Sequence, residues 1–206
     1  MGTMIQKYKL DESGFRGKKF AEHSCNLKGN NDILSLTQPG VIQEIHSEYL
    51  KAGADIIETN TFNANDISQK DYNTEKFVYD INFQSAKIAK EIAIEFSNKN
   101  TNKPRFVAGS IGPTNQTASI SPDVNNPGFR RYYFDDFVRA YYNQISGLVD
   151  GGADILLIET VFDTLNCKAA IYDCYKLIDV KGFCPHLILS GTITDKSGRT
   201  LYGQTD

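Results

Sequence analysis

The sequence predicts an α/β fold with a parallel sheet, of the (β/α) barrel type, and three observations carry that prediction. Helix-like and strand-like stretches alternate along the chain. The strand-like stretches are continuous apolar runs, which implies cover on both faces of the sheet. One phrase is also written twice. Gly53-Ala54-Asp55-Ile56-Ile57 leads into Glu58-Thr59-Asn60-Thr61-Phe62, and Gly152-Ala153-Asp154-Ile155-Leu156 leads into Glu159-Thr160-Val161-Phe162. A reused βα unit whose apolar run ends in a carboxylate puts polar groups at one edge of the sheet. That edge is where α/β proteins build their sites.

The elements follow in order. Thr37 can cap a helix that Pro39 opens, with Val41, Ile42, Ile45, Tyr49 and Leu50 at helical spacing and Gly53 closing it. Ile56 and Ile57 form a short strand. A second helix runs from about Glu75 to Phe96, its inner stripe Val78, Ile81, Ile88, Ile92 and Phe96. Arg105 to Ile111 reads as the next strand. Phe137, Tyr141, Ile145, Leu148 and Val149 mark a third helix that stops at Gly151-Gly152. Ile155 to Ile158 is a strand, Leu165 to Ile178 a helix, and Leu187 to Leu189 the last strand.

Two folds fit this order, a (β/α) barrel and an open doubly wound sheet. No Gly-x-Gly-x-x-Gly follows any strand, and Pro113 prevents a helix from starting directly after Gly109-Ser110-Ile111-Gly112. The long loop from Gly112 to Arg130 suits a barrel whose ligand site is made by loops, so the barrel is preferred.

At 206 residues, 40% hydrophobic and 23% charged, the chain has the size and composition of one globular domain. A net charge of −3 gives no general attraction for nucleic acid or anionic membrane. No apolar run approaches the ~20 residues of a membrane span, and Met1-Gly2-Thr3-Met4-Ile5 lacks the form of a signal peptide. A cytoplasmic protein is expected. Cys25, Cys167, Cys174 and Cys184 form no Cys-x-x-Cys and no adjacent pair, which favours structural thiols over a disulfide framework.

Glu159 is the leading candidate for chemistry. At the C-terminal end of a strand it can hold an ammonium group or act as a base; the alternative is a structural ion pair. Glu58 is its counterpart in the first copy. Thr59, Asn60 and Thr61 offer short polar groups at the same edge, where they can bind a carboxylate or serve as ordinary turn residues. Ser110 stands at the matching point of the next strand, and Gly109 and Gly112 let backbone N–H groups approach a ligand. His46 and His186 read as structural or surface residues. His23 and Cys25 supply only two of the four ligands a metal needs.

Several words read together resemble the homocysteine-binding domain of cobalamin-dependent methionine synthase. They are Lys28-Gly29-Asn30-Asn31-Asp32, Leu36-Thr37-Gln38-Pro39, GADIIETNTFNAN (53–65), GPTNQTASISPDVN (112–125), GGADILLIETVFDTLN (151–166) and SGTITDKSGRTLYGQT (190–205). The resemblance covers nearly the whole chain. It implies a (β/α)8 barrel, shared with betaine-homocysteine methyltransferase, that binds homocysteine. It further implies a zinc ion held by three cysteines that keeps the sulfur as thiolate. The thiolate then takes a methyl group from methylcobalamin carried on another domain, and a folate domain restores the cobalamin. Methionine is the product. On this resemblance Glu159 binds the homocysteine amino group, while Thr59, Asn60, Thr61 and Ser110 help frame the amino acid.

The zinc cysteines of that family are a residue beyond Asp206 and an adjacent pair, which this chain lacks, so no residue here is nominated as a metal ligand. Met1-Gly2-Thr3-Met4 matches the end of a motif whose preceding residues form the first strand. The resemblance therefore implies an incomplete barrel spanning residues 1–206, about strands two to five. Such a piece exposes two strand edges and an apolar inner face, so it is expected to be aggregation-prone alone or dependent on the missing segments, and to hold no stoichiometric zinc. It is read as an enzyme part that works only with the remaining barrel, folate and cobalamin segments. The competing readings are a barrel fragment that only binds, and a homocysteine methyltransferase using another methyl donor. An aldolase-type barrel would need a strand lysine, and these strands contain none.

Overall fold

The computed structural model describes residues 1–183, 185–194 and 196–204, the side chain of Ile178 excepted. Three short helices, α1 (Gly2–Gln6), α2 (Glu12–Arg16) and α3 (Leu34–Thr37), precede α4 (Pro39–Lys51). Then follow β1 (Ile56–Glu58), α5 (Asp66–Gln69), α6 (Val78–Lys99), β2 (Phe106–Ile111) and α7 (Phe134–Asp150). The chain continues with β3 (Ile155–Val161), α8 (Thr164–Lys181) and β4 (His186–Gly191). Every helix and strand read from the sequence is present, with ends shifted by a few residues. The helix expected from Glu75 begins as a tight turn and becomes α-helical at Val78.

The four strands pair in parallel in chain order, β1-β2-β3-β4. A doubly wound sheet would reverse its order partway; this one does not. Its crossover helices lie side by side, α6 against α7 and α7 against α8. That is the arrangement of a barrel wall, with helices outside.

The repeated Gly-Ala-Asp has a mechanical explanation. In the first copy Gly53 takes φ 106° just past α4, Gly53 N–H donates to Leu50 C=O, and Ala54 N–H donates to Tyr49 C=O. In the second, Gly152 takes φ 96° past α7, with Gly152 N–H on Val149 C=O and Ala153 N–H on Leu148 C=O. Each is a helix stop that satisfies otherwise orphaned carbonyls and needs the left-handed freedom of glycine. The aspartates then start the strands. Asp154 accepts Val107 N–H at 2.9 Å and pairs with Lys90, and Asp55 pairs with Lys103 at 3.4 Å.

Three apolar clusters bury the helix side of the sheet. Phe137, Tyr141, Leu148, Leu156, Ile158 and Leu177 join α7, α8 and β3. Leu50, Ile57, Ala89 and Val107 join α4 and α6 to the first two strands. The N-terminal segment packs Ile5, Phe15, Phe20, Leu27 and Ile33 onto α4 and α6. Glu12 organises that segment: its carboxylate accepts the N–H groups of Leu27 and Lys28 and pairs with Arg16 at 2.6 Å.

Two expectations are corrected. Cover on both faces does not hold among the described residues: Ile56 is 46% exposed, Phe106 43%, and β4 is exposed throughout. The apolar runs serve two faces: the helix-facing one is buried throughout β2, while on the other Ala108 and Ser110 are buried and Ile56, Phe106 and β4 are not. Thr37 does not cap α4. It ends α3, its hydroxyl turns back to Ile33 C=O at 3.4 Å, and Gln38 takes the N-cap without a side-chain hydrogen bond. No helix among the described residues is long and apolar enough to cross a membrane.

Candidate functional site

Strand register decides which side chains share the uncovered face. Glu58 on β1 is opposite Ala108 on β2, and Ser110 on β2 is opposite Leu157 on β3. Paired residues of a parallel sheet lie on one face and alternate residues return to it. Glu58, Ser110 and Glu159 therefore stand on the same face, near the C-terminal ends of three consecutive strands.

The Ser110 hydroxyl donates to Glu159 Oε1 at 2.6 Å. Both repeat carboxylates thus share a face but not a level: Glu58 is level with Ala108 and Ile155, and Glu159 lies further along β3, so their backbones are about 16 Å apart across two inter-strand steps and along the strand. They are not equivalent. Glu58 has its pKa raised, first by desolvation and then by the negative charge of Glu159. Like charges sharing a site disfavour double ionisation.

Thr59 and Thr61 are buried, and their hydroxyls face the backbone rather than the open face. Ser110 N–H donates to Thr59 Oγ1 at 2.9 Å, the two threonine hydroxyls are 2.6 Å apart, and Thr61 Oγ1 donates to Ser110 C=O at 2.7 Å. These bonds close a ring around the Ser110 peptide units and fix the residue that orients Glu159. Asn60 is buried beside them and donates to Asn31 C=O at 2.7 Å. The structure thus brings all five predicted residues together, with Ser110 and Glu159 on the open face and the other three behind them.

The glycines act differently from their expected role. A Cβ on Gly109 would lie 3.0 Å from Leu148 Cδ1, so this residue lets α7 approach the sheet. A Cβ on Gly112 would lie 2.4 Å from Phe62 C=O, which Gly112 N–H already contacts at 3.2 Å. The Gly112 N–H is thus spent on the neighbouring loop rather than presented to a ligand.

Sequence reasoning missed the residues that hold the surrounding loops. Asp163, buried at the start of α8, accepts Leu165 N–H at 2.9 Å and both Ser119 N–H (2.9 Å) and Ser119 Oγ–H (2.6 Å). Asn166 accepts Ala118 N–H at 2.9 Å and donates to Gln116 C=O at 3.0 Å. Arg130 closes the loop from behind through Ala118 C=O and Ser119 C=O, both at 2.9 Å. On the other side, buried Asp32 accepts Asn63 N–H at 3.0 Å, and desolvation pushes its pKa up to about 6. The available signal was the co-occurrence of the words at 28–32, 112–125 and 151–166, each of which supplies one side of a clamp.

The remaining titratable candidates are structural. His46 is buried on α4 with its pKa lowered to about 4 by desolvation. His23 Nε2 sits 2.8 Å from Tyr72 C=O, and Cys25 Sγ accepts from Asn73 Nδ2 at 2.8 Å, so one loop engages both. His186 begins β4 on the sheet itself. Cys174 is buried, Cys167 is half-buried, and Cys184 lies outside the described residues. Among the described residues no group of three or more His, Cys, Asp or Glu is placed to hold a metal ion.

Comparison with known proteins bears directly on this geometry. The sequence model of the homocysteine S-methyltransferase family matches residues 1–205. The fold also superposes on solved structures of the homocysteine methyltransferase MmuM from Escherichia coli. The oxidized form matches with TM-score 0.71 and 19% identity, over 100% of this chain and 64% of that one. The metallated form gives 0.68 and 18%, over 100% and 64%. The apo form gives 0.62 and 19%, over 100% and 61%. The chain therefore spans under two thirds of the length of these structures, and identities this low speak for the fold alone. The family match over almost every residue settles the assignment: this chain belongs to the homocysteine S-methyltransferase family.

Proposed function

We propose that the chain is the amino-acid-gripping part of a homocysteine S-methyltransferase of the cobalamin-dependent methionine synthase type. The observation that carries this reading is the Ser110–Glu159 hydrogen bond on the uncovered face. Glu159 holds the substrate ammonium. Ser110 occupies one direction at Oε1, which leaves the other lone pairs of the carboxylate for the three N–H donors of that ammonium. Asn60 and the threonine ring act through Ser110 and the loop, keeping the carboxylate in place.

The sulfur end is a separate matter. The family resemblance implies zinc to hold the thiolate, yet the described residues hold no cluster of ligands for it. Thiolate activation is therefore assigned to no residue described here. The four-stranded wall is read as part of a (β/α)8 barrel. Its sequential order, the two free edges of β1 and β4 and the exposed apolar inner face support that reading.

The methyl donor decides between the readings within the family. The full-length gene product would be assayed for methionine formation from homocysteine with methylcobalamin or betaine as donor. Turnover with methylcobalamin is expected. Turnover with betaine alone would overturn the methionine synthase type and leave the homocysteine grip standing.

A further inference from the structure

We propose that Thr160 is a positioning residue, whose left-handed backbone at a β-bulge keeps Glu159 on the inner face while the chain beyond it turns outward. This rests on the reading of Glu159 as the ammonium holder. Three non-glycine residues have positive φ among the described residues: Lys9, Asn73 and Thr160. Asparagine tolerates this conformation, and Lys9 is unbranched and lies in a turn. Thr160, at φ 57°, is the β-branched one, for which the left-handed region is a real outlier.

Its location gives the outlier a purpose. Ile158 pairs with Leu189 and Val161 pairs with Gly191, so Glu159 and Thr160 together oppose the single residue Ser190. One extra residue in β3 breaks the alternation of faces. In a regular strand Glu159 and Val161 would share a face. With the bulge Glu159 stays with Ser110, and Val161 packs into the cluster of Phe137, Leu156 and Ile158 on the helix side. The Thr160 hydroxyl also lies 3.5 Å from Glu159 Oε2, at the limit of a hydrogen bond. The first copy of the repeat has no such device: it reads Glu-Thr-Asn-Thr-Phe, one residue longer, and Thr59 keeps a regular ladder bond to Ala108 C=O at 2.9 Å. Strain of this kind persists where the surrounding structure imposes it, and it concentrates at functional sites.

The test compares Thr160→Gly, Thr160→Asn and Glu159→Ala in the full-length gene product, with melting temperature and L-homocysteine Kd measured for each. Glycine accepts the left-handed backbone without strain but no longer favours one bulge geometry. Thr160→Gly is expected to melt at the wild-type temperature or above and to bind homocysteine about tenfold more weakly, a loss of about 1.4 kcal/mol. Thr160→Asn, which tolerates the left-handed region, is expected to stay within about twofold of wild-type affinity. A Thr160→Gly protein that is less stable than wild type, or one that binds normally while Glu159→Ala does not, overturns the proposal. A Thr160→Asn protein as weak as Thr160→Gly also overturns it. Normal binding by Glu159→Ala instead sinks the reading of Glu159, which separates the two failures.

Discussion

Ser110 and Glu159 are joined across neighbouring strands by a hydrogen bond of 2.6 Å, and the Ser110 peptide units are themselves tied down by the hydroxyls of Thr59 and Thr61. The carboxylate thus takes its direction from β1 through β2. A hydrogen bond to a charged group contributes about 1.5–3 kcal/mol. Ser110→Ala should weaken homocysteine binding about tenfold and leave the melting temperature within a few degrees of wild type. Isothermal titration beside a thermal melt checks this, and unchanged affinity would remove Ser110 from the site.

Gly112 marks where the loops after β1 and β2 touch. A Cβ there would lie 2.4 Å from Phe62 C=O, a backbone atom with nowhere to go. Overpacking of this kind costs about 1–3 kcal/mol, or a fall of roughly 3–10 °C in melting temperature for a chain of this size. A Gly112→Ala protein that melts like wild type would show that the two loops can part freely.

Asp163 both caps α8 and holds the loop after β2 through Ser119. Losing a cap costs about 0.5–2 kcal/mol, and here the loop bonds go with it. Asp163→Ala should abolish amide-exchange protection at Ala118 and Ser119 while β2 and β3 remain protected. Equal protection in wild type and variant would mean that the loop is held by something else.

Asp173 on α8 has no exposed surface, and neither carboxylate oxygen has a hydrogen-bond partner among the described residues. Desolvation pushes its pKa up to about 7, opposed by Lys176. The folded state then binds more protons than the unfolded one between the ordinary Asp value and about 7. Stability is full below that window and falls as pH rises through it. Wild type should therefore lose stability from pH 5 to pH 8, and Asp173→Asn should lose less of it. Little slope should remain in that variant, because the fall from Asp32, raised to about 6, is offset by buried His46, whose pKa is lowered to about 4 and which gains stability as pH rises toward the ordinary His value. Parallel pH profiles for the two proteins would contradict the burial argument.

The sequence revealed the scaffold because its signals are local. Gly53 and Gly152 announce helix stops, apolar runs announce strands, and Glu159 ends a strand at the edge where sites form. The hidden features depend on long-range register. Thr59 and Thr61 read equally as ligand groups and as ordinary turn residues, and only the pairing of β1 with β2 shows their hydroxyls closing on Ser110. Asp163 and Asn166 reach partners 44 to 52 residues away. Thr160 carries no sign of a left-handed backbone, since no glycine flags it. A continuous apolar run looks the same whether or not both sides are covered, so the exposed inner face followed only from the incomplete barrel that the resemblance implied.

The most direct test is homocysteine binding by Glu159→Gln in the full-length gene product, because this change removes the charge and keeps the shape. If the carboxylate grips the ammonium, Kd rises by one to two orders of magnitude, on the order of 1.5–3 kcal/mol for a charged hydrogen bond, with the fold intact. A Kd equal to that of wild type would contradict the account at its centre.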